Sequence, residues 1–137
     1  MELERLKNVL IDQAKYFLAN AGEFYPFGAV ISTDGDIVPL GAQFENDRPT
    51  PQEVIGVLEN SILRKLSKNE VKIAGIGTDV NYKPAGETEK KSAIQVRILE
   101  SSGVSVDYYL PYRNETGNFV YEALFEEKGT LNFLNVI

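Results

Sequence analysis

The chain has 137 residues, of which 43% are hydrophobic and 25% are charged, as expected for one globular domain. It contains no histidine and no cysteine, which excludes Ser-His-Asp and Cys-His catalysis, zinc fingers, thiol redox chemistry and disulfides. The formal net charge of −6 disfavours sequence-independent binding to phosphate backbones. We therefore expect a single globular domain over residues 1–137 that binds no nucleic acid.

The N-terminal sequence MELERLKNVL mixes acids, bases and leucines, which is unlike a secretory signal peptide. No apolar run approaches the roughly 18 residues that a membrane-spanning helix needs. Because no disulfides can form, a reducing compartment suits the chain. The sequence thus predicts a cytoplasmic protein with no membrane contact.

Two segments have the apolar spacing of amphipathic helices. The first carries its stripe before Gly22, a residue type that commonly ends helices. The second begins at Thr50-Pro51-Gln52-Glu53, where the threonine and glutamate can form a capping box, and it is predicted to span about residues 51–67. The stripe residues are Leu3, Leu6, Leu10, Phe17, Leu18 and Ala21 in the first helix, and Val54, Leu58, Ile62 and Leu66 in the second.

The remaining segments have the patterns of strands and turns. Asp34-Gly35 separates two β-prone runs and predicts a hairpin with a type I′ turn. After the second helix the alternation slips between Ile73 and Ile76, which predicts a bulge near Gly75. Further strands are predicted at 94–98, 104–108, 119–125 and 131–136.

The order is therefore α-β-β-α-β-β-β-β-β, with short connections that imply antiparallel neighbours. We expect an α+β fold: a two-layer domain with a mainly antiparallel sheet of about five to seven strands and both helices on one face.

Acidic residues are concentrated between positions 23 and 49, where Asp34, Asp36, Glu45 and Asp47 form most of the charge. One interpretation is a solvated hairpin and loop, and the other is an acidic face for a basic partner. The Asp34-Gly35-Asp36 sequence lacks the further acids of a calcium loop, so no metal site is predicted.

Tyrosines form the second distinctive cluster, at Tyr108, Tyr109 and Tyr112, followed by Arg113. Since successive side chains of a strand point to opposite faces, at most one of Tyr108 and Tyr109 lies in the core. Exposed tyrosine and arginine are typical anchors of protein interfaces, whereas aromatic pairs across strands also stabilise sheets without any binding role.

The run Glu23-Phe24-Tyr25-Pro26-Phe27-Gly28-Ala29, with Asp34-Gly35 and Leu110-Pro111-Tyr112-Arg113, resembles small uncharacterised bacterial domains of unknown function. The resemblance implies a bacterial origin. It assigns no activity and no catalytic or binding residue.

These observations favour a non-catalytic protein-binding module of the bacterial cytoplasm, like an immunity protein or a secretion chaperone, without a cofactor. Its partner would be another protein or a second copy of itself. The alternative is a small-molecule binder or a carboxylate-based hydrolase with a pocket between helix and sheet. The candidate protein-binding residues are Asp34, Asp36, Glu45, Asp47, Tyr109, Tyr112 and Arg113.

Overall fold

A computed structural model describes residues 2–41 and 48–132. Its elements are α1 (Glu2–Ala21), β1 (Phe27–Ser32), β2 (Ile37–Leu40), α2 (Pro51–Ser67), β3 (Val71–Tyr82), β4 (Lys91–Glu100), β5 (Ser105–Glu115), β6 (Asn118–Tyr121) and β7 (Phe125–Lys128). The strands form one antiparallel sheet in the order β2-β1-β3-β4-β5, and β6 and β7 pair with different stretches of β5. The predicted α+β class, element order and antiparallel sheet are confirmed. Within the described ranges, no helix is both long and apolar enough to span a membrane.

The two helices lie on opposite faces of the sheet. Leu6, Leu10 and Leu18 of α1 share a core with Ile94, Val96 and Ile98 of β4. Leu58 and Ile62 of α2 share a second core with Ala74, Ile76 and Leu99. The arrangement therefore differs from the two-layer one expected, because each helix covers its own side. We call these sides the α1 face and the α2 face.

The bulge predicted near Gly75 is not formed. Pairing between β3 and β4 is continuous from Ile73 to Tyr82. The irregularity between β1 and β3 lies at Lys72, which the pairing skips because the consecutive residues Ile31 and Ser32 pair with Ile73 and Val71. The slip in the alternation has another cause: Ile73 faces α1 and Ile76 faces α2. Apolar residues of both parities are what a strand covered on both faces requires.

The predicted hairpin between β1 and β2 is present, but its turn is not type I′. A type I′ turn needs positive φ at both central residues, and here Gly35 has a φ of +93° whereas Asp34 is not in that region. The Gly35 N–H donates to the Ser32 carbonyl at 2.9 Å, and the Ser32 N–H donates to the Asp36 carbonyl at 2.8 Å. Only the glycine therefore needs the left-handed conformation.

The second helix begins and ends where the sequence predicts. The Thr50 hydroxyl accepts from the Glu53 N–H, and the Glu53 carboxylate accepts from the Thr50 N–H, both at 3.2 Å. Such caps contribute about 1 kcal/mol, and all their partners lie within one helical turn. This start could be predicted because it depends on no distant residue.

The C-terminal strands differ from the prediction. The segment predicted as one strand over 119–125 covers most of β6 and only the first residue of β7, and residues 122–124 separate the two strands. Residues 131 and 132 are not in a strand, and the rest of the predicted strand 131–136 lies outside the described residues. Leu131 is nevertheless buried in the core under α2, so the chain after β7 returns to that face.

Two glycines give opposite expectations for substitution by alanine. A Cβ at Gly56, inside α2, would meet nothing within 4 Å, so Gly56→Ala should raise the free energy of unfolding by about 0.8–1 kcal/mol. A Cβ at Gly129 would overlap the backbone and side chain of Ser105, so Gly129→Ala should lower it by roughly 1–3 kcal/mol. Urea denaturation of both variants checks this contrast, which equal shifts would contradict.

Candidate functional site

Helix α2 packs mainly on β1 and β3, and within residues 2–41 and 48–132 no helix lies over the β4, β5 and β7 part of the α2 face. Cross-strand pairing places Gln95, Tyr109 and Phe125 in one row on this part of the face. Because paired residues lie side by side on a sheet, their side chains meet on one surface.

Three rings form what we call the aromatic surface: Tyr82, Tyr109 and Phe125. The Tyr109 and Phe125 rings are stacked, with centroids 5.2 Å apart and planes 11° apart. The Tyr82 ring lies 6.4 Å from Tyr109 and 6.0 Å from Phe125. Gln95 donates from Nε2 to the Tyr109 hydroxyl at 2.9 Å, which fixes that ring. Phe125 remains 36% exposed, so the rings form an ordered surface that still contacts solvent.

Beside the rings lies a chain of polar contacts, the Asp107 network, made of Glu59, Arg97, Thr130 and Asp107. Arg97 pairs with Glu59 of α2 at 2.8 Å and donates from Nε to the Thr130 hydroxyl at 2.7 Å. Thr130 donates to Asp107 through its hydroxyl at 2.7 Å and its backbone N–H at 3.2 Å. Asp107 is fully buried, with 0% exposure. The network thereby links α2 to the segment that follows β7.

A pocket of about 360 Å³ separates the aromatic surface from the buried carboxylate. Aromatic walls beside a few fixed polar groups are the usual composition of a recognition site. Its lining residues are Tyr82, Asp107, Tyr109, Phe125, Glu127, Lys128 and Thr130.

The tyrosines predicted as site residues fall on different faces. Tyr108 is buried in the core on the α1 face, whereas Tyr109 lies on the α2 face, as the alternation predicts. Tyr112 is also buried on the α1 face, where its hydroxyl donates to Asp79 Oδ1 at 2.6 Å. Tyr112 is therefore not part of an exposed surface. Arg113 is exposed and pairs with Glu115 at 2.6 Å.

The acidic candidates lie elsewhere. Asp34 and Asp36 are exposed beside the turn that joins β1 and β2, and β2 is an edge strand that β1, β3 and β4 separate from β5. Glu45 and Asp47 fall outside the described residues. The structure therefore does not bring Asp34 or Asp36 together with Tyr109.

Sequence reasoning did not select Tyr82, Gln95 or Phe125 as site residues. They join Tyr109 only through strand pairing and ring contacts across the sheet, which leave no local pattern. The position of Asp107 could have been predicted, because it lies two residues before Tyr109 in the same strand and therefore on the same face.

A second cluster on the α1 face contains Asp79, Tyr112 and Glu23. Burial raises the pKa of Asp79, the hydrogen bond from Tyr112 opposes this rise, and the charge of Glu23 adds to it. Burial, followed by the hydrogen bond to Asp79 and its charge, raises the pKa of the Tyr112 hydroxyl well above its ordinary value. The pair thus keeps the tyrosine proton in place. Over residues 2–41 and 48–132, no three acidic side chains converge in a way that could hold a metal ion.

No family model matches the chain, and neither the curated proteins nor the solved structures include a match. What the protein does must therefore be inferred from the surfaces described above.

The raised pKa of Asp79 predicts the sign of a pH effect. Above the ordinary pKa of 3.8, the unfolded state has lost the Asp79 proton, whereas the folded state still retains it. The free energy of unfolding therefore falls as pH rises from this value through the folded-state pKa of Asp79. Asp79→Asn keeps an acceptor for Tyr112 and removes the charge. The unfolding free energy of the variant relative to wild type should therefore increase between about pH 4 and about pH 7.

Tyr112→Phe serves as the companion variant, measured by urea denaturation over the same pH range. It removes the hydrogen bond that holds the Asp79 pKa down, so the loss of stability with rising pH should become steeper than in wild type. For Asp79→Asn, an unfolding free energy relative to wild type that stays constant or falls as pH rises would contradict the raised pKa of Asp79.

Proposed function

We propose that this protein is a non-catalytic, acidic protein-binding module of the bacterial cytoplasm, similar in role to an immunity protein or a secretion chaperone. The observation that carries the proposal is the aromatic surface of Tyr82, Tyr109 and Phe125, which lies on the part of the α2 face that no helix of the described chain covers.

The two faces use their aromatic residues differently. On the α1 face, Tyr112 is buried, and Phe119 and Tyr121 pack against the core. On the α2 face, Phe125 is exposed and stacks on Tyr109. Rings that are already ordered lose little conformational entropy on binding, and central aromatic anchors commonly account for about 2 kcal/mol or more each in a protein interface. The exposed rings therefore favour a binding role.

Charge favours a basic partner. The chain carries 20 acidic and 14 basic residues, and Glu127 lies on the same face of β7 as Phe125. An acidic surface increases the association rate with a basic protein. A second copy would bring like charges together, so a different, basic protein suits this surface better than self-association.

Site-specific photocrosslinking tests the proposal. With a photoreactive benzoylphenylalanine in place of Phe125, ultraviolet light should link the module to one protein in cells of its native organism. The same residue in place of Tyr16, which is 62% exposed on α1, is the matched control and should not link to that protein.

The captured protein should then be purified and its affinity measured by calorimetry. Phe125→Ser should weaken the complex by roughly tenfold or more, because it removes an aromatic anchor. Equal crosslinking from positions 16 and 125, or an affinity unchanged by Phe125→Ser, would contradict the proposed surface.

A second candidate function, binding of a small apolar molecule, is favoured by a cavity of about 340 Å³ between α1 and the β1–β2 hairpin. Its lining is apolar apart from Gln13 and includes Leu10, Phe17 and Phe27. No carboxylate among the described residues lines it, so it favours the binder of the alternative and gives no support to the hydrolase.

Octanol is a suitable probe for this cavity, because it combines an apolar chain with one hydroxyl. If the cavity binds such molecules, octanol should raise the Tm of the wild type, and Val9→Phe should abolish the effect by filling the cavity. Val104→Phe, at an exposed site outside the cavity lining, is the control and should retain the shift. No shift in the wild type would remove this candidate.

A further inference from the structure

Three carboxylates and one guanidinium lie close together on the part of the α2 face that no helix of the described residues covers. Arg97, Asp107 and Glu127 lie in one cross-strand row, and Glu59 reaches Arg97 from α2. The group therefore carries a formal charge of −2. We infer that the pocket between this row and the aromatic surface binds a cationic side chain, lysine or arginine, of the protein partner. This inference rests on the proposed protein-binding function.

The first step concerns Asp107, which is fully buried. Its hydrogen bonds come from the Thr130 hydroxyl and N–H, both neutral groups. Among residues 2–41 and 48–132, no basic side chain forms an ion pair with it. A buried carboxylate is costly unless a cation accompanies it, and its neighbour Arg97 is already paired with Glu59. A second cation would complete the site.

Lys128 also lies at the rim, but it does not supply that cation. It pairs across the sheet with Val106, whose side chain packs against the core on the α1 face. Since paired residues of neighbouring strands point to the same face, the lysine side chain is directed away from Asp107.

The second step concerns the rings. On the α1 face the protein covers its own tyrosines with cations, Lys7 at 5.1 Å from the Tyr108 ring and Lys15 at 4.7 Å from Tyr121. No described cation occupies a comparable position over Tyr82, Tyr109 or Phe125. Aromatic faces attract ammonium and guanidinium groups within about 6 Å of the ring centroid, and the attraction grows when the cation is desolvated.

The third step identifies the source of the cation. The pocket opens beside Phe125, which is exposed at the edge of the sheet. A side chain can therefore enter beside the rings and the exposed Glu127, with its charge directed toward the buried Asp107, while its own backbone stays on the rim. The negative charge of the group selects a basic side chain over a neutral one.

The test uses short glycine peptides that carry one central arginine or lysine, with the neutral arginine analogue citrulline as the matched control peptide. NMR titration of the isotope-labelled protein should show shifts at Gln95, Tyr109 and Phe125 for the basic peptides, with affinity about fivefold or more above that of the citrulline peptide. Glu127→Gln and Phe125→Leu should each weaken binding by roughly threefold or more, because each removes one source of attraction.

Glu126→Gln is the control variant. Glu126 precedes Glu127 and pairs with Tyr108, so it has the same charge but is on the opposite face. It should leave peptide binding unchanged. An equal loss in both glutamine variants would show attraction to net charge alone, and equal affinity for citrulline would show no selection for a cation. Either result would overturn the inference, as would spermidine binding at the same signals more tightly than the peptides.

The inference and the proposed function fail in different ways. If position 125 links to a purified partner but the basic peptides do not bind, the cation site is wrong and the protein-binding module remains. If the peptides bind as expected but position 125 links to no protein, the pocket has a ligand of another source and the proposed function fails, together with the assignment to a partner side chain.

Discussion

Strand β3 has to bury both of its faces, and the rest of the structure follows from this constraint. Ile73 belongs to the core under α1, whereas Ala74 and Ile76 belong to the core under α2. Each fully buried aliphatic side chain contributes about 1.5–3 kcal/mol, so neither helix is dispensable. Gly75 also allows α1 to approach closely, because a Cβ there would lie 2.6 Å from Leu10 Cδ1. The strand thus fixes how each helix packs on the sheet.

This constraint also explains which parts of the fold could be predicted. The start of α2 could be, because Thr50 and Glu53 make their hydrogen bonds to each other. The faces of the helices could not, because periodicity shows that a residue is buried without showing against what. If only one face of the strand is assumed to be buried, the apolar residues Ile73 and Ile76 indicate a bulge between them. If both faces are buried, the same two residues fit a regular strand, as the structure has it.

The site was predictable only where one strand contains the signal. Alternation places Tyr109 on the face opposite Tyr108, and the same rule would have placed Tyr112 with Tyr108 in the core. The neighbours of Tyr109 come from elsewhere in the chain, since β7 returns to pair with β5 and Tyr82 ends β3. Whether a surface is left uncovered depends on the whole sheet. Here α2 packs on β1 and β3, and the described chain has no third helix to cover β4, β5 and β7.

The two cores differ greatly in the sequence distance they span. The core under α2 draws mainly on residues 54–76, so the helix and the next strand meet after a short connection. The core under α1 joins Leu6 to side chains as distant as Tyr112. Contacts of long sequence separation form slowly because a large loop must close first. During synthesis, α1 therefore waits longer than α2 for most of its packing partners, and its apolar stripe is exposed to aggregation for longer.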